Sequence, residues 1–388
     1  MDVTENKIRE ILGRGVGETI NSEHLARALK SGKKLRVKLG IDPTSPDLHL
    51  GHAVLLKKLR QFQSAGHKAV LIIGDFTARI GDPSGRDGAR QPLMEKEIKK
   101  NMKKYLDLAG KIINVKDAHI YKNSTWLSGA EIPYTLASKI SVQQVLERED
   151  FQKRLKEGSN ISMLEAFYPI LQGYDSVACE ADVEIGGNDQ KFNLLMGRRV
   201  QRAFNMPEQD VLMMPLIEGT DGVRKMSKSY GNYIALDEKP NEMFSKIMSV
   251  PDEATRKYFL LLTDLSEDEA GDIAKKLPFE QKKILGEKIV SWFYGESSAK
   301  KAREYFGKIF SKKEMPENIK VCEVKAGEGW IDFLLFKGFA LSRTEAKRLM
   351  AGGAIEFNGV KIEWAGEQIT KNGVAKIGKH KFVKIKIT

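Results

Sequence analysis

The chain has 388 residues, 41% hydrophobic and 30% charged, enough for one sizeable α/β core with one or two smaller domains. There is no run of 18 or more apolar residues, the acidic start Met1-Asp2-Val3-Thr4-Glu5 lacks a signal peptide's basic-then-apolar pattern, and Cys179 and Cys322 stand far apart without partners at metal spacing. A membrane span, a disulfide framework and a zinc site are excluded as organising features, a cytoplasmic location is expected, and the net charge of +12 suits either a polyanionic partner or a merely lysine-rich composition.

The first clear element is Leu35-Arg36-Val37-Lys38-Leu39-Gly40-Ile41, which alternates like a strand and runs into Asp42-Pro43-Thr44-Ser45-Pro46, a loop no helix can enter. After His49-Leu50-Gly51-His52, the apolar positions Val54, Leu55, Leu59 and Phe62 recur at helical spacing until Gly66. Ala69 to Ile73 then reads as a buried strand. This strand, loop, helix, strand rhythm opens a doubly wound parallel sheet, and it returns at Ala181 to Ile185, in the helix after Gln190, and at Val211 to Ile217. Ligands of such sheets bind at the carboxyl ends of strands, where the loops holding Asp42, Asp82 and Gly187 are expected. Tyr168, Gln172 and Asp175 share one helix face at i, i+4 and i+7, with Pro169 starting or kinking the helix; a polar stripe among Phe167, Ile170, Leu171 and Val177 either faces solvent or lines a polar pocket.

Further on, Lys225-Met226-Ser227-Lys228-Ser229 sits in a Gly- and Ser-rich loop. From Pro240 to about Ile319 the pattern is helical, with Asn241, Asp252 and Ser266 as caps and Pro251, Pro278 and Pro316 as punctuation. A linker from Val321 to Gly329 leads to two short helices and then to strands separated by Asn358-Gly359 and Asn372-Gly373 turns. The expected architecture is therefore α/β, with a doubly wound domain at 1–235, an all-helical domain at 236–322 and a small α+β domain at 327–388. That last segment carries 11 Lys or Arg against 6 Asp or Glu, which makes it a candidate nucleic-acid module, although Trp330, Phe333, Phe336 and Phe339 equally suit a small core with a solvated rim.

Two imidazoles flanking a glycine at a helix start, answered by two lysines on a later loop, can grip a triphosphate from both sides and so point to adenylate-forming chemistry. Taken singly, the histidines suit a satisfied surface pair and the lysines a solvated loop. The strings His49 to His52 and Lys225 to Ser229 resemble the signatures of class I aminoacyl-tRNA synthetases, and that resemblance implies that His49 and His52 donate to phosphates where the helix dipole already favours anions, that Thr44 adds a hydroxyl, that Gly40 and Gly51 let a nucleotide approach the backbone, and that Lys225 and Lys228 meet charge on the leaving group, with Arg86 and Arg90 as further cations or solvated charge. On the basic tail, Arg343, Lys347 and Arg348 fall on one helical edge, the arrangement that phosphate contacts need.

Together these residues resemble a known family. The HLGH and KMSKS strings match the signatures of class I aminoacyl-tRNA synthetases, Gly81-Asp82-Pro83-Ser84-Gly85-Arg86 and Gly186-Gly187-Asn188-Asp189-Gln190 look like those of the bacterial tyrosine-specific branch, and Ser342 to Ala346 with Ile355 to Gly359 resembles the S4 RNA-binding domain. The resemblance implies a Rossmann-like catalytic domain, an anticodon-region helical domain and an S4-like tail. It implies ATP with Mg2+ as a substrate complex, no tightly bound cofactor, L-tyrosine and tRNA(Tyr) as substrates, and a homodimer, for which the segment from Trp126 to Gln152 is the expected interface. By the same resemblance Asp175 accepts from the phenol, Tyr168 and Gln172 lie near the ammonium, Asp82 and Gln190 complete the amino acid's contacts, Gly187 and Asp189 hold the ribose, and Asp42 stands between ammonium and ATP. Many members carry tyrosine where this chain has Lys38; a lysine there either points elsewhere or pairs with Asp175 and donates to the phenol oxygen. A nucleotidyltransferase with HxGH, a tryptophan-specific synthetase and an RNA-binding protein on the same scaffold are the competing readings.

Overall fold

The computed structural model describes residues 5–82, 94–129, 131–311, 320–340, 342–362, 364, 366–378 and 381–388, which fall into two compact units, Met1–Ala299 and Lys300–Thr388. The first is built on a six-stranded sheet: β1 (Glu18–Ile20), β2 (Arg36–Ile41), β3 (Lys68–Ile73), β4 (His119–Lys122), β5 (Val183–Gly187) and β6 (Asp210–Met214), in the spatial order β1-β6-β5-β2-β3-β4. All neighbours pair in parallel except the edge strand β1, antiparallel to β6. Runs such as Ala69-Val70-Leu71-Ile72-Ile73 and Val211-Leu212-Met213-Met214 are buried throughout, as strands covered by helices on both faces must be. The chain winds from β2 outward through β3 and β4, then returns to the other side of β2 for β5 and β6, so the order reverses between β2 and β5 and leaves a crevice at their carboxyl ends.

The helix Leu50–Ser64 connects β2 to β3 and buries Val54, Leu59 and Phe62 as its spacing predicts. The helix Met163–Ala178 contains Pro169 in its interior rather than at its start. It packs on the helix Lys191–Ala203 at Gly173 and Gly197, where a β-carbon on Gly173 would meet Val200 at 2.9 Å and the Gly197 nitrogen at 3.3 Å. The helices Pro240–Ser249, Asp252–Leu262, Glu267–Ala274 and Pro278–Tyr294 belong to the same compact unit, with Met243, Phe244, Tyr258 and Ile289 fully buried. Of the expected caps, Ser266 accepts from Glu269 N in a capping box. Asn241 and Asp252 do not cap: Lys239 and Pro251 hold those positions, because Pro240 and Pro251 set the chain into the helix one or two residues earlier. Pro316 lies outside the described residues. None of the helices among the described residues is long and apolar enough to cross a membrane.

In the second unit the segment read as a linker is a strand. β7 (Lys320–Val324) pairs in parallel with β13 (Lys381–Ile387), and β8 (Glu328–Gly329) pairs with β11 (Gln368–Ile369). With β9 (Ile355–Phe357), β10 (Val360–Lys361) and β12 (Gly373–Ile377), the larger sheet has the order β10-β9-β12-β13-β7. Asn358-Gly359 makes the β9–β10 turn with both residues at positive φ. Asn372-Gly373 makes no hairpin, since β11 goes to β8 and β12 begins at Gly373. The helices Trp330–Phe336 and Arg343–Ala351 close a core of Trp330, Phe333, Leu334, Met350, Ile355 and Ile385. Phe336, by contrast, is exposed.

Candidate active site

A cleft of about 620 Å³ opens at the carboxyl ends of β2 and β5. Its walls include Gly40, Asp42, Thr44, His52, Asp82, Tyr168, Gln172, Asp175, Gly187, Asp189, Gln190 and Lys225, so twelve of the residues singled out from the sequence come together. Arg86 and Arg90 lie outside the described residues. Arg343, Lys347 and Arg348 are exposed on one helix of the second unit.

The histidine motif folds into a reciprocal cap. His49 is the N-cap of the Leu50–Ser64 helix; its Nδ1 accepts from Gly51 N at 3.1 Å, while His52 Nδ1 accepts from His49 N at 3.2 Å. A β-carbon on Gly51 would stand 2.9 Å from the His49 ring, so glycine is what lets the imidazole fold over the helix end. Because both Nδ1 atoms accept, both rings carry their proton on Nε2 and present it as a donor. Burial drives both pKa values down, His52 to about 4 and His49 well below the ordinary histidine value, so near neutrality the pair is uncharged.

The lysine loop is tied to this helix end. Leu50 N donates to Ile234 O and Leu236 N to Leu48 O, with a bridge between His49 and Ala235. Asn232, buried, staples the loop by accepting from Ser227 N at 2.8 Å and donating to Lys225 O at 3.1 Å. The lysines are engaged: Lys225 Nζ meets Asp189 at 2.7 Å and Lys228 Nζ meets Asp47 at 3.2 Å. Burial works against ionised Asp47, but hydrogen bonds from Lys104 and Lys228 hold its carboxyl below the usual value.

Three of the cleft's carboxylates are Asp42, Asp82 and Asp175. Asp42 accepts from Thr77 Oγ1 and from the Tyr168 hydroxyl, each at 2.8 Å. Asn123, fully buried, donates to Thr77 Oγ1 at 3.0 Å and to Asp175 at 3.3 Å, and Trp126 Nε1 donates to the other Asp175 oxygen at 2.8 Å. Asp82 accepts from Gln190 Nε2 at 2.8 Å and faces the buried Arg148 guanidinium at 3.4 Å. Burial raises Asp42 to about 7 and Asp175 to about 6. Gly74 makes room for the first of these groups, because a β-carbon there would fall 1.9 Å from the Asp42 carboxylate and 2.4 Å from Thr77 Oγ1. Sequence reasoning missed Thr77, Asn123, Trp126, Arg148, Asp47, Asn232 and Glu184. All but Asn232, which staples its own loop, act through a partner on another element, and a sequence spacing does not report that.

Lys38 takes the first of its two expected alternatives. It is 0% exposed and pairs with Glu184 at 2.8 Å, not with Asp175, and it is absent from the cleft wall. Its direct donation to a phenol oxygen is thereby corrected: the ammonium is already spent on Glu184, Ser176 Oγ and Gln172 O.

Neutral N–H donors, a helix N-terminus and two lysines suit a polyphosphate, while Asp42 and Asp175, raised by burial, suit an ammonium and a hydroxyl. Residues 30–311 match the family described as tRNA synthetases class I (W and Y). The chain is 47% identical over 386 residues to the tyrosine–tRNA ligase of Thermotoga maritima, covering 97% of this chain and 96% of the relative, and 48% identical to that of Aquifex aeolicus, covering 98% of each. Among solved structures it resembles a C-terminally truncated mitochondrial tyrosyl-tRNA synthetase of Aspergillus nidulans, with TM-score 0.67 and 20% identity over 79% of this chain and 95% of that one. It also resembles the tyrosyl-tRNA synthetase of Archaeoglobus fulgidus complexed with L-tyrosine, with TM-score 0.61 and 20% identity over 77% of this chain and 99% of that one.

Proposed function

The chain belongs to the class I tRNA synthetase family for tryptophan and tyrosine and catalyses tRNA tyrosylation with ATP, and we propose that both steps run in the β2–β5 cleft with the residues described above. The observation that carries this reading is the meeting, in one cleft, of Asp42, Asp82 and Asp175 with the capped helix end and Lys225.

In the first step a tyrosine carboxylate oxygen attacks the α-phosphorus of ATP, which enters as its Mg2+ complex, and the bond to pyrophosphate breaks. Positioning and charge do the work, because no covalent nucleophile is required. His49 and His52 donate Nε2–H to the phosphates, and Thr44 adds its hydroxyl. Gly40 and Gly51 leave the backbone open to the nucleotide; a β-carbon on Gly40 would meet nothing within 4 Å, so that space is free for a ligand. Lys225 and Lys228 exchange Asp189 and Asp47 for the departing pyrophosphate, aided by Arg86, and Asp189 with Gly187 then holds the ribose. Tyr168, Gln172, Asp82 and Gln190 surround the ammonium, with Asp42 between it and the nucleotide. Asp175 accepts from the phenol hydroxyl with the lone pairs that Trp126 and Asn123 leave over, which leaves phenylalanine facing an unsatisfied buried carboxylate. In the second step the 3′-terminal ribose of tRNA(Tyr) attacks the tyrosyl carbonyl and AMP leaves.

Three further assignments belong to this reading. Residues 1–235 form the catalytic domain, 236–322 approach the anticodon region, and 327–388 serve as an S4-like RNA-binding domain through Arg343, Lys347 and Arg348. The protein acts in the cytoplasm, without a resident cofactor or metal. It works as a homodimer through the segment from Trp126 to Gln152, supported by the apolar side chains left exposed there, Tyr134 at 79% and Val142 at 67%. The test is ATP–pyrophosphate exchange with each of the twenty amino acids in the absence of tRNA. Tyrosine alone should support exchange, and exchange with another amino acid instead would overturn the assignments of Tyr168, Gln172 and Asp175.

A further inference from the structure

At the cleft wall, through Glu184, and extending behind it to Lys38 lies a buried ion pair to which the steps above assign no role. Lys38 on β2 and Glu184 on β5 are register partners in the parallel ladder, and their side chains meet at 2.8 Å with 0% and 1% exposure. Burying both charges is costly unless the remaining donors and acceptors are satisfied, and here they are. Lys38 also donates to Ser176 Oγ at 2.7 Å and to Gln172 O at 3.2 Å. Glu184 Oε2 accepts from Gln209 Nε2 and from Ser176 Oγ. Gly197 leaves the space, since a β-carbon there would stand 2.7 Å from Gln209 Nε2 and 3.1 Å from Glu184 Oε2.

What this assembly leaves over is informative. Glu184 Oε1 accepts from the side-chain Nε2 of Gln172 at 2.8 Å, and Gln172 lines the cleft. The other end of that carboxamide, Oε1, is buried and has no partner among the described residues. A buried acceptor left unmade is expensive, and a carboxamide free to turn can offer either its oxygen or its NH2. We propose that the Lys38–Glu184 pair is a positioning device for amino acid recognition: Glu184 holds the Gln172 carboxamide by its nitrogen, so that Oε1 is presented to the substrate ammonium, and Lys38 anchors the Glu184 carboxylate in the interior. Lys38 suits this task, because the charges of Glu184 and Asp175 hold its pKa above the usual value against the effect of burial.

This inference rests on the assignment of the cleft to tyrosine, and its test separates the two. Lys38→Met alone strands a buried carboxylate and risks misfolding, so the variant is Lys38→Met/Glu184→Leu in the full chain, an apolar exchange that folds tolerate. Binding of L-tyrosine, of tyramine, and of 3-(4-hydroxyphenyl)propanoate, which lacks the amino group, is measured by calorimetry. Tyrosine and tyramine should bind about tenfold more weakly to the variant, the size of a lost hydrogen bond to a charged group, while the desamino acid binds as before. Equal weakening of all three ligands makes the pair purely structural and overturns the inference. Failure of the unmodified protein to bind tyrosine overturns the cleft assignment instead.

Discussion

Asp42 is where burial and binding oppose each other most directly. Burial pushes its carboxyl up to about 7, against hydrogen bonds from Thr77 and Tyr168 that favour the ionised form, and the charges of Asp82 and Asp175 add to the rise. For a carboxylate raised above its unfolded value, ionisation costs folding stability; the cost is absent below the ordinary carboxylate range and complete once the pH exceeds the folded value. A substrate ammonium beside Asp42 reverses the balance by favouring its ionised form. Tyrosine binding should therefore expel a proton, about half of one per site at pH 7 and close to none at pH 8, where Asp42 is largely ionised and the ligand still carries its ammonium. Calorimetric titrations in buffers of different ionisation enthalpy read this number directly. Asp42→Asn should abolish the release at pH 7, and release that persists in that variant would assign the proton to another group, with Asp175, at about 6, the first alternative.

The helix that begins at His49 shows how an element can set the chemical state of its own functional groups. Each imidazole spends Nδ1 on a backbone N–H of the helix end, which leaves Nε2–H as the outward donor, and burial keeps both rings neutral. With folded pKa values depressed, this arrangement stabilises the protein above the ordinary histidine value and is lost as pH falls toward 4. Between pH 6 and 8 the activation rate should show no histidine titration. His52→Asn, which keeps an acceptor for the cap and an N–H2 donor, should retain far more pyrophosphate exchange than His52→Ala. The alanine variant should lose roughly 100-fold in rate and about 1 kcal/mol of stability through the missing cap. Equal rates for the two would separate the cap from catalysis. Such an element is legible in sequence because cap, glycine and apolar spacing all lie within a few turns of one another. The same holds for Tyr168, Gln172 and Asp175, whose shared face survives the interior Pro169. What stayed hidden depends on adjacency across the sheet. Glu184 claims Lys38 only because β5 returns beside β2, and residues 320–324 become β7 only by pairing with β13 some sixty residues later. Asn123 and Trp126 back Asp175 from the far side of the β3–β4 connection, a relation that no local pattern encodes.

At the scale of the whole chain, the proposed assignments put chemistry and RNA binding in separate units. Every described residue assigned to activation lies within Met1–Ala299, whereas Arg343, Lys347 and Arg348 lie in Lys300–Thr388, on a helix whose opposite face buries Ala346 and Met350 in that unit's own core. A deletion beginning after Lys325 would leave β7 without β13, so a cleaner cut follows Ser311, ahead of the second unit's sheet. The sharper experiment keeps the full chain and changes only the three cations to glutamine. Arg343 is tied to Asp332 at 2.6 Å, and Lys347 and Arg348 are exposed, so all three can change without opening the core. Phosphate contacts contribute through released counterions, and each one lost reduces the dependence of log affinity on log salt by roughly 1. The triple variant should therefore bind tRNA more weakly with a salt slope shallower by about 3, while tyrosine-dependent pyrophosphate exchange stays at the level of the unmodified protein. An unchanged salt slope would place the tRNA on another surface. A parallel fall in exchange would mean that the second unit supports the first chemically, not only by holding the RNA.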